Sequence, residues 1–472
     1  MEGEMHVRRL VVFGMALVAG FGLVLAFAFV CADYPIEWAE GRVFETARLI
    51  LSGAPLYCDI RVLPCADVTY PPAYAALVAG LAKIAGLSFN VGRAPSFAAL
   101  LWALFSLYRI ARASSDRFSA LAAPAAFLAF VEACYFAAAM RPDMLSLALL
   151  LCGMDVLVRR PSLRGTVASA LLVAAGMFVK PQSFATVFAM CAHLALVDRK
   201  RLAVFAAVGV AAGIAIVGVG EVLTGFRFLD HHFRYVVGPT HTLAQLGTVL
   251  YYGLLPWALF AAVALVDSLR AVRGARPGLV PIYFLSSLIW ALVAGSGKGA
   301  AANYFFELYA AAALAISPFV HQLRDGLRDR LLAAAFSLQV VLCVVLNPWI
   351  GLERYLSLRK LWANGATLRA SVGGAPEPIL VEELGVAGYT GHRLFVDPYV
   401  VTQLAEMARS DEGPLLAMLR ERRFSRVVLR ESPADHPNPL QLERFTPEML
   451  RAIAASYRLS WSDGSWLVYE PR

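Results

Sequence analysis

Arg8-Arg-Leu-Val-Val-Phe-Gly-Met-Ala-Leu-Val-Ala-Gly-Phe-Gly-Leu-Val-Leu-Ala-Phe-Ala-Phe-Val30 decides how the rest of the chain is read. Leu10–Val30 is an unbroken apolar run, as long as the roughly 20 residues needed to cross the hydrocarbon of a bilayer. It is too long for a signal-peptide core and no clear cleavage site follows, so it reads as an anchor helix. Arg8 and Arg9 assign the amino terminus to the cytoplasm, where basic residues flanking a span accumulate. The whole chain has the same character. Of its 472 residues 59% are hydrophobic and 16% charged, and the mean hydropathy is +0.63. Soluble domains sit nearer 25% charged, which excludes an ordinary cytosolic enzyme. The net charge of +8 would suggest nucleic acid in a soluble protein. Here a basic cytoplasmic face accounts for it, and no nucleic-acid partner is expected.

Further basic clusters end the later apolar runs: Arg109, Arg112 and Arg117; Arg159, Arg160 and Arg164; Arg199, Lys200 and Arg201; Arg270, Arg273 and Arg276; Arg324, Arg328 and Arg330. Between neighbours the chain must go out and return, giving hairpins at 118–158, 165–198, 202–269 and 279–320. With Leu10–Val30, a span at 94–110 and a last one at 331–350, the reading predicts a mainly α, polytopic bundle of about eleven spans. Residues 1–350 form the membrane part. Residues 351–472 have soluble composition and fall outside as a small α/β domain. There Pro378–Val381 and Arg426–Leu429 read as strands, Val400–Ala408 and Leu415–Arg422 as helices, and Asp463-Gly464 as the turn of a terminal hairpin.

The longest outer loop, 32–93, holds Asp33, Glu37, Glu40, Glu45, Asp59 and Asp67. Glu40–Ser52 reads as an amphipathic helix and Tyr70–Leu87 as an apolar, interfacial one. Cys58 and Cys65 share this loop and could bridge in an oxidising compartment. Other polar groups gather on the same side: Arg141 and Asp143 at one hairpin tip, Lys180 in a second, and His231, His232, Arg234 and Lys298 in later loops. The 165–198 hairpin has arms of only about 15 residues, so Lys180 is expected below the membrane surface. It is there either as a functional group or snorkelling to lipid headgroups. Asp143 reads either as a functional acid or as a cap of the following helix. Asn303 and Glu307 lie one turn apart on one helix face. A carboxylate beside several cations suits a general base that takes a proton while an anionic group leaves.

These segments resemble a known family. Glu40-Gly-Arg-Val-Phe-Glu-Thr-Ala-Arg-Leu-Ile-Leu-Ser-Gly53 resembles the first-loop helix of integral-membrane GT-C glycosyltransferases, the group of lipid A aminoarabinose transferases and protein O-mannosyltransferases. Tyr70-Pro-Pro-Ala-Tyr74, Gly92-Arg93, Arg141-Pro-Asp-Met144, Phe178-Val-Lys-Pro-Gln182 and Asn303-Tyr-Phe-Phe-Glu307 resemble further elements in the same order. The resemblance implies inverting transfer of a sugar from a polyprenyl-phosphate donor to an envelope glycan, lipid or protein. That transfer takes place on the periplasmic side of a bacterial inner membrane, with an acid of the first loop activating the acceptor. Where the family often has an acidic pair this chain has Ala39-Glu40, so Glu40 is the first choice for the base, with Glu37 or Asp33 reaching in as the alternatives and Asp143 in support. Lys180, with Arg141 or Lys298, is expected to neutralise the departing phosphate. Asn303, Tyr304, Glu307, Tyr70 and Arg234 complete the expected substrate contacts. A divalent ion is compatible with the acidic loop, but none is predicted. A lipid-linked glycan transporter, or a catalytically silent assembly partner, explains the spans and charges as alternatives. The long acidic loop and the lack of internal repeats favour the enzyme.

Overall fold

A computed structural model describes residues 2–59, 62–66, 70–234, 241–254, 257–274, 278–297, 299–322, 338–339, 342, 349–433 and 439–472. It opens with the anchor helix α1 (Glu2–Val30), followed by α2 (Glu40–Ser52), α3 (Ala73–Ala85) and α4 (Phe89–Ala111). The first loop thus carries the two helices expected of it. Phe130 interrupts the next segment, so α5 (Ala122–Ala129) and α6 (Val131–Ala138) meet at a 75° bend and not as one straight arm. Then come α7 (Asp143–Arg159), α8 (Leu163–Val179), α9 (Phe184–Val197) and α10 (Arg199–Leu223). The return arm expected before residue 269 is two helices, α11 (Leu243–Gly253) and α12 (Ala258–Val272). The bundle continues with α13 (Leu279–Gly295), a 3-10 turn (Ala302–Phe305) and α14 (Phe306–Gln322).

Among the described residues four helices are long and apolar enough to cross a membrane, or five if the bent pair counts as one. The helices α8, α9 and α13 are apolar but have only 17, 14 and 17 residues. At 1.5 Å per residue such helices reach about 21–26 Å, less than the full hydrocarbon thickness. The last expected span, 331–350, lies almost wholly outside the described residues.

The tail folds as the alternation of its sequence suggests. Helices α15 (349–361) and α16 (Gly365–Gly373) lead into β1 (Ile379–Val381); β2 (Arg426–Leu429), β3 (Tyr457–Ser462) and β4 (Leu467–Pro471) follow. The sheet order is β1-β2-β4-β3, with β1 parallel to β2 and the other pairs antiparallel. Alternate residues enter two apolar layers: Leu380, Val427 and Leu429 on one face, Val381, Val428 and Val468 on the other. A sheet covered on both faces needs strands without polar alternation, which is why β1 and β2 read as short apolar runs. At the Asp463-Gly464 turn, Asp463 Oδ1 accepts from the backbone of Ser465 and Trp466, and Gly464 takes φ +82°.

Helix α2 joins the two parts. Its Arg42 pairs with Asp397 at 2.5 Å, and Arg48 donates to the His392 carbonyl at 2.8 Å. A Cβ on Gly41 would lie 2.3 Å from the Leu384 carbonyl carbon, so only glycine permits this approach. At the other end of the same turn Glu40 and Arg93, both fully buried, form a two-pronged pair: Nε to Oε1 and Nη2 to Oε2, each 2.8 Å. The remaining Arg93 donors go to the carbonyls of Phe29, Ala32 and Tyr34. Glu40 also accepts from the backbone N–H of Ile36 and of Met140, at 2.8 and 2.7 Å. One ion pair therefore ties α1, the first loop, α2, α4 and the turn before α7.

Removing one partner of a buried pair leaves an uncompensated charge, which costs about 3–5 kcal/mol. Arg93→Leu is expected to lower the thermal unfolding midpoint in detergent far more than Arg451→Ala, whose pair with Glu448 is exposed. Equal midpoints would contradict the role given to Glu40 and Arg93.

Candidate active site

The polar groups singled out along the sequence meet where the first loop faces the α6–α7 turn, the α8–α9 turn and the start of α14. Asp143 is the first residue of α7, one place after the N-cap position, which Pro142 occupies without a side-chain capping bond. Its Oδ1 accepts from Lys180 Nζ at 2.5 Å and Asn303 Nδ2 at 2.6 Å, and its Oδ2 from Arg141 Nε at 3.0 Å. The cap reading is thereby replaced by a charge cluster. Lys180 ends α8, is 5% exposed and lies 4.9 Å from the Tyr304 ring, so it points into protein and not to headgroups. Arg141 continues the chain of contacts: Nη1 donates to Glu37 Oε1 at 2.8 Å and Nη2 to the Tyr70 hydroxyl at 2.7 Å. Tyr74 and Ser96 hold the Arg141 segment from below, the Ser96 hydroxyl donating to the Arg141 carbonyl at 3.0 Å.

Burial opposes charge on Asp143, but Lys180 first and then Arg141 overcome it and hold its carboxyl well below the usual range. A depressed carboxyl contributes stability above its unfolded value and loses it as the pH falls. Glu37 is the opposite case. Burial raises its carboxyl above the ordinary value, and Arg141 offsets only part of that. Burial likewise pushes the Tyr70 hydroxyl up.

A cavity of about 830 Å³ opens beside this cluster. Its polar end is formed by Glu37, Trp38, Arg42, Tyr70, Arg141, Asn303 and Tyr304, together with Tyr399 and Arg444 from the tail. Its other end is apolar and runs between α8, α9 and α10. Asp143, Lys180 and Glu307 line a small adjoining pocket of about 20 Å³, behind Asn303 and Tyr304. Glu307 Oε1 accepts there from the backbone and hydroxyl of Thr186, at 2.8 and 2.6 Å. The Asn303 amide must turn its Nδ2 to Asp143; its Oδ1 is buried and has no hydrogen-bond partner among the described residues.

Other expected site residues fall elsewhere. Glu40 lies outside the cavity wall, in the pair with Arg93. Asp33 is exposed and does not line the cavity. Lys298, Asp67 and the side chain of Arg234 are outside the described residues. His231 meets the Cys58 carbonyl at 2.8 Å and His232 the Tyr57 hydroxyl at 3.2 Å, fastening residues 224–234 to the loop closed by the Cys58–Cys65 disulfide. Glu132, in the first turn of α6, pairs with Arg354 through two 2.8 Å contacts. No group of three or more metal-ligating side chains occurs among the described residues.

Trp38, Arg42, Tyr399 and Arg444 were not anticipated. Arg42 lies 4.5 Å over the Trp38 ring and Arg444 5.5 Å from it. Their signal was faint, because two of them come from the tail and reach the cavity only through tertiary packing. The Glu40–Arg93 pair had a clearer one: an arginine at the opening of an apolar span calls for a partner.

Asp143→Asn is expected to destabilise the protein by about 3–5 kcal/mol, because Lys180 loses its carboxylate partner while Arg141 keeps Glu37. The Asp143→Asn, Lys180→Met double variant should lose less than the sum of the single ones in thermal unfolding. Additive losses would mean that the two side chains do not act as a pair.

The family of dolichyl-phosphate-mannose-protein mannosyltransferases matches residues 69–223. No curated protein sequence matches the chain significantly. Among solved structures, ArnT from Cupriavidus metallidurans bound to undecaprenyl phosphate superposes with a TM-score of 0.65 at 14% identity, over 96% of this chain and 97% of that one. Its apo state gives 0.64 at 15% identity, with the same coverage. The oligosaccharyltransferase AglB from Archaeoglobus fulgidus, in complex with an inhibitory peptide and a dolichol-phosphate, gives 0.54 at 10% identity, over 97% of this chain and 74% of that one. Over nearly its whole length the chain thus shares the fold of ArnT.

Proposed function

We propose that the chain is a membrane glycosyltransferase that moves a sugar from a polyprenyl-phosphate donor to an envelope acceptor. Its amino terminus would be cytoplasmic, about eleven crossings would follow, and the site and tail would face the periplasm of a bacterial inner membrane. The observation that carries the reading is the joining of a buried cation–carboxylate cluster to a long apolar cavity. A lipid phosphate has those two parts, a charged head and a hydrocarbon tail. A relative in fold carries undecaprenyl phosphate and another a dolichol-phosphate.

The geometry favours Glu37 as the base over Glu40. Both oxygens of Glu40 are engaged by Arg93 and by three backbone donors, leaving no lone pair for an acceptor. Glu37 lines the cavity, and its Oε2 accepts from the backbone of Ala39 at 2.8 Å. Its carboxylate therefore lies over the position where this chain lacks the acid that its resemblance leads one to expect. Glu40 would act through the backbone, by fixing Ile36 and the turn that carries Glu37.

In the reaction Glu37 takes the proton of the acceptor hydroxyl as that oxygen bonds to the anomeric carbon. The bond from that carbon to the phosphate oxygen breaks on the opposite side, inverting the centre. The departing phosphate is held by Arg141, which Asp143, itself paired with Lys180, fixes beside the cavity. Asn303 Oδ1 is available to accept from a sugar hydroxyl.

Glu37→Gln should cut sugar transfer about 10²–10⁴-fold, the range ascribed to general-base catalysis, while leaving binding of undecaprenyl phosphate near normal. Glu40→Gln should instead lower the unfolding midpoint. A base must be ionised to act, so kcat/KM should rise with pH through a limb above the ordinary carboxyl value, and Glu37→Gln should abolish that limb. Transfer by Glu37→Gln at the wild-type rate would remove Glu37 from the role.

A further inference from the structure

Helix α10 is the least buried of the long apolar helices: of its 25 residues only Phe205 is buried. Its half-buried residues nevertheless follow one face at helical spacing, Val208 and Gly209, Ala212 and Gly213, Ile216 and Val217. Gly209, Gly213, Ile216 and Val217 line the apolar limb of the cavity, which ends at Phe205. From Val217 to Phe205 this limb runs about 18 Å along the helix.

Glycines in membrane helices usually let a neighbouring helix come close. Elsewhere in this bundle they do: a Cβ on Gly153 would lie 2.8 Å from Val173, and one on Gly176 would lie 3.1 Å from Leu150. On Gly209 and Gly213 an added Cβ meets nothing within 4 Å. Close helix packing does not explain these two residues; open space lies in front of them. At the head of the same cavity is the buried Asn303 Oδ1, which lacks a partner among the described residues, beside Arg141.

We infer that Gly209 and Gly213 form the floor of a seat for the isoprenoid tail of the lipid phosphate, and that they determine which chains the site accepts. This rests on the donor reading above and adds the path of its tail. A methyl-branched polyprenyl chain is wider than a straight acyl chain, and two missing side chains one turn apart leave that width. Leucine at either position would fill the limb while keeping the helix, since leucine is a better helix former than glycine.

The test is equilibrium binding of three phosphates to the full chain in detergent: undecaprenyl phosphate, farnesyl phosphate and dioleoyl phosphatidate. The wild type should prefer undecaprenyl phosphate to both others. Gly213→Leu should weaken undecaprenyl phosphate about tenfold or more, a size expected when apolar groups obstruct a pocket, and should leave farnesyl phosphate within about twofold. Gly218→Leu, on the exposed face of the same helix, should bind like the wild type. Unchanged undecaprenyl phosphate binding by Gly213→Leu would overturn the inference and leave the donor reading standing. Dioleoyl phosphatidate bound as tightly as undecaprenyl phosphate by the wild type would also overturn it. Absence of binding of either isoprenyl phosphate to the wild type would overturn the donor reading as well.

Discussion

A carboxylate and a guanidinium with no access to water organise the polar face of this protein. Burying two charges is costly, and the cost is met only when geometry is good and every remaining donor and acceptor is satisfied. Glu40 and Arg93 meet that condition by drawing in the carbonyls of Phe29, Ala32 and Tyr34 and the N–H groups of Ile36 and Met140. Each of those backbone groups belongs to a segment that carries or borders the site. Glu37 is one residue beyond Ile36, and Arg141 one beyond Met140. The pair thus fixes two turns whose side chains then meet each other at 2.8 Å.

A second cluster extends this order into the bundle. Asp143 collects Lys180, Asn303 and Arg141 from three separate parts of the chain. Lys180, at the turn between the short helices α8 and α9, is turned inward onto Asp143. The apolar limb of the cavity between α8, α9 and α10 adjoins this cluster.

Much of this was legible in the sequence. Glu40–Ser52 is a helix with the expected bounds, an apolar helix follows Tyr70-Pro-Pro, and the strands of the tail lie where short apolar runs suggested. Those readings succeed because they depend on local periodicity and turn chemistry. Charge patterns also placed Arg141, Asp143, Lys180 and Asn303 in one region. The bend at Phe130 was not legible, since an apolar run of normal length gives no warning of it. Nor were the different surroundings of Glu37 and Glu40, three residues apart on one short segment. Which of them is enclosed with Arg93 and which faces the cavity depends on how α4 packs, and that is a tertiary fact. The contribution of Trp38, Tyr399 and Arg444 was hidden for the same reason.

The most direct test of the account is a cryo-electron microscopy structure of the full chain with undecaprenyl phosphate bound. The account predicts phosphate oxygens within hydrogen-bond distance of the Arg141 guanidinium, Glu37 facing the head across open space, and a tail descending past Gly213. A phosphate held instead at the Arg109–Asp155 end of the bundle, with the cavity beside Glu37 empty, would contradict it.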